Sequence, residues 1–189
     1  MELKLKNLRI AFPALAAPQS LGEGEPAYGA KFIIEPGSEA EKTLDAAIAA
    51  VAKDQWKDKA DSILRALRDD KKVCFTKGEY RSKKTGEAYD GFAGKFYLNT
   101  RNAKAQPTVV DRMGNQVASK AEIERLIYSG CYVHVSLDIW AQANGYGNRV
   151  NCTLRGVMFA SDGENFGGGT GVASASEFAD FAEAAEDFL

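Results

Sequence analysis

Alternating apolar and polar positions run through much of this 189-residue chain. The clearest alternation lies at 28–34 and 131–141, where every second residue is apolar. Such a two-residue period is typical of a β-strand with one face in a core and the other in water. Weaker or shorter alternation predicts further strands at 2–12, 72–76, 92–101, 108–111 and 150–158. The pattern therefore predicts five to seven strands.

A helical pattern interrupts the strands at 38–69. Its apolar residues recur every three or four positions, which is the period of a helix face. Ser38 and Glu41 match a capping box, in which each side chain binds a backbone amide of the first turn. A break is predicted near 56–61, so we expect this helical insert to form two segments that pack on the sheet.

Local signals mark the remaining joints. A shorter helix is predicted after Ser119, because Glu122 repeats the capping-box spacing, and Gly130 is expected to stop it. The dipeptide at 144–145 is Asn-Gly, which predicts a turn between the last two strands. Three prolines and two glycines make 13–26 turn-rich, so the first strand is expected to end before it.

Many short strands with turn-rich joints and a helical insert predict a mainly β fold with added α, as a barrel or a sandwich. A small, partly open Greek-key barrel of the OB type is the version that presents an open strand face. We therefore predict an OB-fold-like domain over 1–162, with its helical insert at 38–69. A flexible Gly-rich linker and an acidic, aromatic tail are expected over 163–189.

The net charge of −2 conceals an asymmetry along the chain. Residues 1–155 contain 24 basic and 19 acidic side chains, whereas 156–189 contain seven acidic side chains and no Lys or Arg. A basic body with an acidic tail suits an anionic partner better than the net charge suggests.

The stretch 71–112 combines cations with rings. It contains ten basic and four acidic residues, and six aromatic residues lie between the charges. Cations follow a phosphate backbone, and flat rings stack on unpaired bases. This mixture predicts a surface for single-stranded nucleic acid, although a solvated hairpin whose charges serve solubility is the competing interpretation.

The candidate contacts to such a strand are cations for phosphates and exposed rings for bases. They are Lys77, Tyr80, Arg81, Lys83, Lys84, Tyr89, Lys95, Tyr97, Arg101, Tyr146 and Arg149. Phe75, Phe92 and Phe96 are expected in the core instead, since a phenol tolerates exposure better than a phenyl ring. Trp140 either extends the binding face or packs against the helical insert, and Arg9 is a further candidate phosphate contact.

Several function classes are disfavoured by what the sequence lacks. The chain has no GxxxxGK[ST], GxGxxG or HExxH motif, its three cysteines have no metal-ligand spacing, and its single His134 has no nucleophile partner in the pattern. We therefore expect no enzyme activity, cofactor or metal, and buried thiols in a reducing cytosol. No stretch has the length of a membrane span, so a cytoplasmic protein is expected.

The last residues pair acids with rings at near-helical spacing. The residues of interest are Glu183, Glu186, Asp187 and Phe188. An acidic aromatic peptide either folds into a partner's groove or competes with DNA for its own basic surface. Both roles are hypotheses.

Five segments in this order carry a family resemblance: NLRIAFPAL, PAYGAKFIIEP, KFYLNTRN with QPTVVDRMGN, IYSGCYVHVSLDIWAQ, and GVMFASDGENFGGG. Together they resemble a family of bacteriophage single-stranded DNA-binding proteins. The resemblance implies an OB fold that coats single-stranded DNA during phage replication or recombination, with replication proteins as partners of the tail. The ending Phe188-Leu189 departs from relatives that finish on the aromatic residue.

Two other functions stay open from the sequence. One is a non-enzymatic phage assembly or protein-interaction module, and the other is a nuclease, for which the scattered acids show no paired arrangement. A homodimer through an open edge strand is possible on the same pattern.

Overall fold

The computed structural model describes residues 1–20 and 24–167 of the chain. The strands in this part are β1 (Glu2–Gln19), β2 (Ala27–Ile34), β3 (Phe75–Thr76), β4 (Phe96–Asn102), β5 (Thr108–Val110), β6 (Gln116–Val117), β7 (Tyr132–Asn144) and β8 (Gly147–Ser161). The α-helices are α1 (Glu39–Trp56), α2 (Ala60–Asp69) and α3 (Lys120–Leu126).

All eight strands belong to one sheet in the order β3-β4-β2-β1-β7-β8-β5-β6. Neighbouring strands are antiparallel except β5 and β8, which are parallel. The segment before β3 then reaches β8, because Cys74 N donates to Val150 O at 2.9 Å and Val150 N donates to Lys72 O at 3.0 Å. The sheet thus curls back towards its own edge, and the predicted OB-like β fold with a helical insert is confirmed.

The core lies on the concave side of the curled sheet. Every second residue of β7 and β8 points there, as shown by the full burial of Leu137, Ile139 and Leu154. Helix α1 covers one opening with Leu44 and Ile48, which are also fully buried. Burial of each such side chain contributes roughly 1.5–3 kcal/mol. The apolar positions of the alternation are therefore the residues that stabilise the core.

The helical insert forms at the predicted residues. Ser38 Oγ accepts a hydrogen bond from Glu41 N at 3.2 Å, and the Glu41 carboxylate accepts one from Gly37 N at 2.6 Å. A 3-10 turn, Lys57–Lys59, separates the two helices at the predicted break. The prediction of a second capping box is wrong, because the Ser119 side chain at the start of α3 makes no capping hydrogen bond.

Strand β1 runs further than the sequence predicts. It continues through Gln19, and its register with β2 shifts between Ala11 and Ala14. At the shift, Phe12 has a φ of 51° and its amide donates to Ser129 Oγ at 3.0 Å. This bulge takes Phe12 out of the alternation and leaves its side chain exposed, whereas an unbroken alternation of Leu8, Ile10 and Phe12 would place all three on the apolar face.

Among the helices that the structure describes, none combines the length and the apolar composition of a membrane span.

Candidate nucleic-acid interface

Five aromatic side chains from distant parts of the chain meet on the outside of the sheet. We call Phe12, Tyr80, Tyr89, Phe92 and Tyr97 the aromatic patch. The Tyr80 and Tyr89 rings stack at 5.0 Å between centroids, and Phe12 meets Tyr89 edge-on at 5.2 Å. Tyr97 meets Tyr80 edge-on at 5.2 Å. The structure therefore brings together three of the four candidate tyrosines, and the fourth, Tyr146, lies elsewhere.

The patch is held by local pairing and by a small core of its own. Tyr89 N donates to Tyr80 O at 3.0 Å, which fixes the two rings opposite each other in the loop before β4. Beneath them Phe92 is fully buried with Ala11 and Ile33, so its prediction as a core residue is confirmed, although in this second cluster rather than inside the barrel. Tyr80 and Tyr97 pack against this buried cluster.

Exposure divides the patch into contact surface and support. Phe12 is 47% exposed and Tyr89 is 38% exposed, whereas Tyr80 and Tyr97 are half-buried. An incoming base would therefore meet Phe12 and Tyr89 first. Sequence reasoning missed Phe12, because only the bulge in β1 turns it outward.

Lys31 is a second residue that sequence reasoning missed. Its ammonium lies 4.5 Å from the centroid of the Tyr80 ring and 5.8 Å from that of Tyr97, and it donates to Asn99 Oδ1 at 2.7 Å. Burial lowers the pKa of Lys31 to about 8. The available signal was its place on the outer face of β2, but only the pairing of β2 with β4 puts it beside the rings.

The predicted cations near the patch differ in their partners. Lys83 and Lys84 are exposed at the loop tip, and neither has an ion-pair partner in the described part of the chain. Arg81 pairs with Glu79 and donates to Gly86 O at 2.8 Å. The loop tip is thus an exposed positive surface in the same loop as Tyr80 and Tyr89.

Two other predicted cations are turned towards acids. Lys77 Nζ lies 2.7 Å from Glu41 and 2.6 Å from Asp45, and these contacts raise the pKa of Lys77. Lys95 pairs with Glu35. The structure therefore does not bring Lys77 to the patch, and it gives Lys95 a competing anion.

The remaining predicted contacts lie at a second place. Arg101 and Arg149 line a cleft of about 870 Å³ together with Trp140. Trp140 is 41% exposed and donates from Nε1 to Thr153 Oγ1 at 3.0 Å, so a large part of its ring is open to solvent beside these two arginines. Tyr146 stands at the tip of the β7–β8 hairpin and is 92% exposed.

Arg9 contacts the segment that follows β8. Its guanidinium lies 4.2 Å from the centroid of the Phe166 ring, and it donates to Glu164 O at 2.8 Å and to Gly130 O at 3.1 Å. Phe166 also packs against the small core under the patch. Residues 163–167 therefore lie along the barrel, and the predicted tail contacts Glu183, Glu186, Asp187 and Phe188 lie outside the described residues.

Other candidate chemistry finds a structural role. His134 Nδ1 accepts a hydrogen bond from Asn7 N at 3.0 Å, and all three cysteines are buried and form no disulfide within the described residues. Within residues 1–20 and 24–167, no group of three or more His, Cys, Asp or Glu residues has the geometry to hold a metal ion.

Comparison with known proteins gives a consistent result. The model of a family described as "Enterobacter phage Enc34, ssDNA-binding protein" matches residues 1–189. Protein p50 of Acyrthosiphon pisum secondary endosymbiont phage 1 is 36% identical over 194 aligned residues, which cover 100% of this chain and 98% of p50.

Solved structures agree. The single-stranded DNA-binding protein from bacteriophage Enc34, in complex with ssDNA, matches with a TM-score of 0.71 and 25% identity, over 88% of this chain and 89% of that one. The single-stranded DNA-binding protein gp2.5 of bacteriophage T7 shares the fold alone, with a TM-score of 0.55 and 14% identity over 100% of this chain and 98% of that one. Because the family model matches from the first residue to the last, this chain belongs to the phage Enc34 single-stranded DNA-binding protein family.

Proposed function

We propose that this protein binds single-stranded DNA without sequence preference, with bases stacked on the aromatic patch and phosphates held by the cations around it. The observation that carries the proposal is the convergence of Phe12, Tyr80, Tyr89 and Tyr97 on one outer surface, next to Lys31 and the exposed loop tip. A hydrophobic core would hide such rings, and a surface built for solubility alone would not cluster them.

The chemistry of the patch favours unpaired bases over a duplex. A stacking ring needs the face of a base, which a duplex covers with the neighbouring base pair. Stacking contributes roughly 1–3 kcal/mol per base and is tolerant of sequence, because every base has a π-face. Two exposed rings therefore suffice for a large preference for single strands, while the cations supply a salt-dependent share of the affinity.

A titration tests this function directly. Fluorescence anisotropy of labelled oligo-dT is measured against the full chain at several salt concentrations, with a duplex of the same length as the matched control. We expect tight binding of the single strand, weak binding of the duplex, and a steep loss of affinity with salt. Equal affinity for the two DNAs would contradict the proposal. No binding to either would leave the protein-interaction module as the better interpretation.

The biological setting is part of the proposal. A coating protein of this kind would protect single strands during phage DNA replication or recombination in the host cytoplasm, without catalysis or a cofactor. Incubation of labelled DNA with Mg²⁺ tests the last point, and cleavage would restore the nuclease alternative.

The acidic tail is proposed to modulate binding or to dock replication proteins. What supports this is the position of its first residues, since Phe166 packs against the small core of the patch and under Arg9. A tethered anion that starts there would have a high effective concentration at the cationic surface. Deletion of residues 168–189 is expected to raise single-strand affinity and to change its salt slope. An unchanged affinity and slope would leave only the docking role.

A further inference from the structure

A cleft of about 870 Å³ lies beside Trp140, away from the aromatic patch. Its floor is formed by Cys74, Val150 and Cys152, where the segment before β3 closes against β8. Five basic side chains and one acidic side chain, Asp138, line it. The basic ones are Lys71, Lys72, Arg101, Lys104 and Arg149. The cleft is therefore open, predominantly positive and walled on one side by an exposed aromatic ring.

We infer that this cleft is a second subsite for the same single strand of DNA, in which a base stacks on Trp140 and adjacent phosphates lie against Arg149, Arg101 and Lys104. The inference rests on the proposed function, because it assigns to the cleft the nucleotides that follow those on the aromatic patch.

The indole is presented in a fixed orientation. Trp140 is on the outer face of β7, is 41% exposed, and is held at its Nε1 edge by Thr153 Oγ1 at 3.0 Å. Tryptophan has the largest apolar surface of any side chain, and a site that leaves so much of it in water forgoes its burial. A held, exposed ring is the arrangement that a stacking platform requires.

The cations of the cleft are largely available. Arg149 and Lys104 make no ion pair within the residues that the structure describes, and Arg101 donates only to the backbone oxygen of Glu25, at 2.6 Å. Lys72 is less available, because its Nζ forms an ion pair with Asp70 Oδ2 at 2.9 Å. Arg149, Arg101 and Lys104 are therefore available to contact phosphates.

The outer face of β4 joins the cleft to the aromatic patch. Every second residue of β4 points to that face, namely Tyr97, Asn99 and Arg101. Tyr97 belongs to the aromatic patch, and the other two line the cleft. Asn99 also binds Lys31 at the border between the two places. Tyr97 and Arg101 are separated by four residues, which is about 13 Å along a strand. One extended single strand can follow this face without crossing the sheet.

The test uses the full chain with Trp56→Phe, which leaves Trp140 as the sole tryptophan. Circular dichroism confirms folding of this variant. Oligo-dT of increasing length is then titrated while Trp140 emission and the anisotropy of a labelled oligonucleotide are both recorded. We expect the shortest oligonucleotides that bind to leave Trp140 emission unchanged, and longer ones to quench it.

Affinity variants provide the second readout. Trp140→Ala is expected to weaken binding of long oligonucleotides by about 5- to 100-fold while short ones are unaffected, and Trp140→Phe should retain most of the affinity. Arg149→Ala should lower the salt slope by about 1. Arg155→Ala is its matched control on the same strand, because Arg155 pairs with Glu2 and does not line the cleft.

The outcomes separate the two proposals. Normal binding with no quenching at any length and no effect of Trp140→Ala would overturn the second subsite and leave the proposed function intact. Failure of every oligonucleotide to bind would overturn both. Quenching by long oligonucleotides, with the expected loss in Trp140→Ala and not in Arg155→Ala, would support the subsite.

Discussion

The ammonium of Lys31 lies 4.5 Å from the centre of the Tyr80 ring, and its proton is held less tightly than that of an ordinary lysine. Burial disfavours the charged form, while the faces of Tyr80 and Tyr97 and the amide oxygen of Asn99 compensate for part of the lost water. A phosphate placed beside it would favour the charged form again. Binding and protonation at this residue are therefore coupled.

DNA affinity is expected to decline as pH rises from 7 to 9. The pKa of Lys31 is about 8 in the protein alone, so the ammonium is mostly charged at pH 7 and mostly neutral at pH 9. Anisotropy titrations with oligo-dT at constant ionic strength measure the decline. Lys31→Met should bind more weakly at pH 7 and show a shallower dependence on pH. Parallel pH profiles for the two proteins would show that Lys31 is not coupled to DNA.

The contribution of Lys31 to the stability of the folded protein should rise with pH, whereas its contribution to DNA affinity falls. In the unfolded chain Lys31 keeps its proton to pH 10.5, whereas the folded protein releases it above about pH 8, so the unfolded state binds more protons between these values. The free energy of unfolding contributed by Lys31 therefore rises from pH 8 to 10.5. Urea denaturation of the protein and of Lys31→Met should show the variant losing roughly 2–3 kcal/mol of relative stability over that range, since each pKa unit corresponds to about 1.4 kcal/mol. A pH-independent difference would contradict the lowered pKa.

Removal of an exposed ring should reduce affinity without changing its electrostatic part. Tyr89→Ala is expected to weaken oligo-dT binding by about 5- to 100-fold with an unchanged salt slope, because stacking releases no counterions. Tyr89→Phe retains the ring and should bind almost as well as the original chain. A large change in slope for Tyr89→Ala would mean that the ring positions cations rather than bases.

Removal of a cation at the loop tip should change the electrostatic part of the affinity, which is measured by its salt slope. Lys83→Ala is expected to lower the salt slope by about 1 and to weaken binding mainly at low salt. Lys53→Ala is the control, since Lys53 is also exposed but lies on α1. Similar slopes for the two variants would indicate that the loop tip does not contact phosphate.

A close approach of two backbones holds the segment after β8 in place. Gly130 has a φ of 107°, and a Cβ there would lie 2.0 Å from Glu164 O. Gly130→Ala should therefore displace residues 163–167 and expose them to protease. Gly114→Ala is the matched control, because its φ is 91° but no atom lies within 4 Å of the added Cβ. Both variants bear the backbone strain of about 1 kcal/mol, and only the first should show faster cleavage after β8. Equal cleavage would contradict the docking of this segment.

Local signals predicted most of the fold. The apolar alternation of β2, β7 and β8 and the helical period of the insert each follow from which face a side chain presents to the core, and that is encoded within a few residues. The errors arose where distant contacts decide. Strand β1 passes through prolines and a bulge to Gln19 because β2 pairs with it, and Ser119 makes no cap bond although its spacing to Glu122 is correct.

The sequence by itself determined the kind of surface this protein carries, since the density of rings and cations in 71–112 is a property of composition. Only the tertiary structure decided which of those residues share that surface. It brought Phe12 and Lys31 to the tyrosines through the pairing of β1, β2 and β4, and it turned Lys77 away to the acids of α1. The physical reason is that charge and ring character belong to each residue, whereas proximity depends on strand pairings between residues that are far apart in the chain.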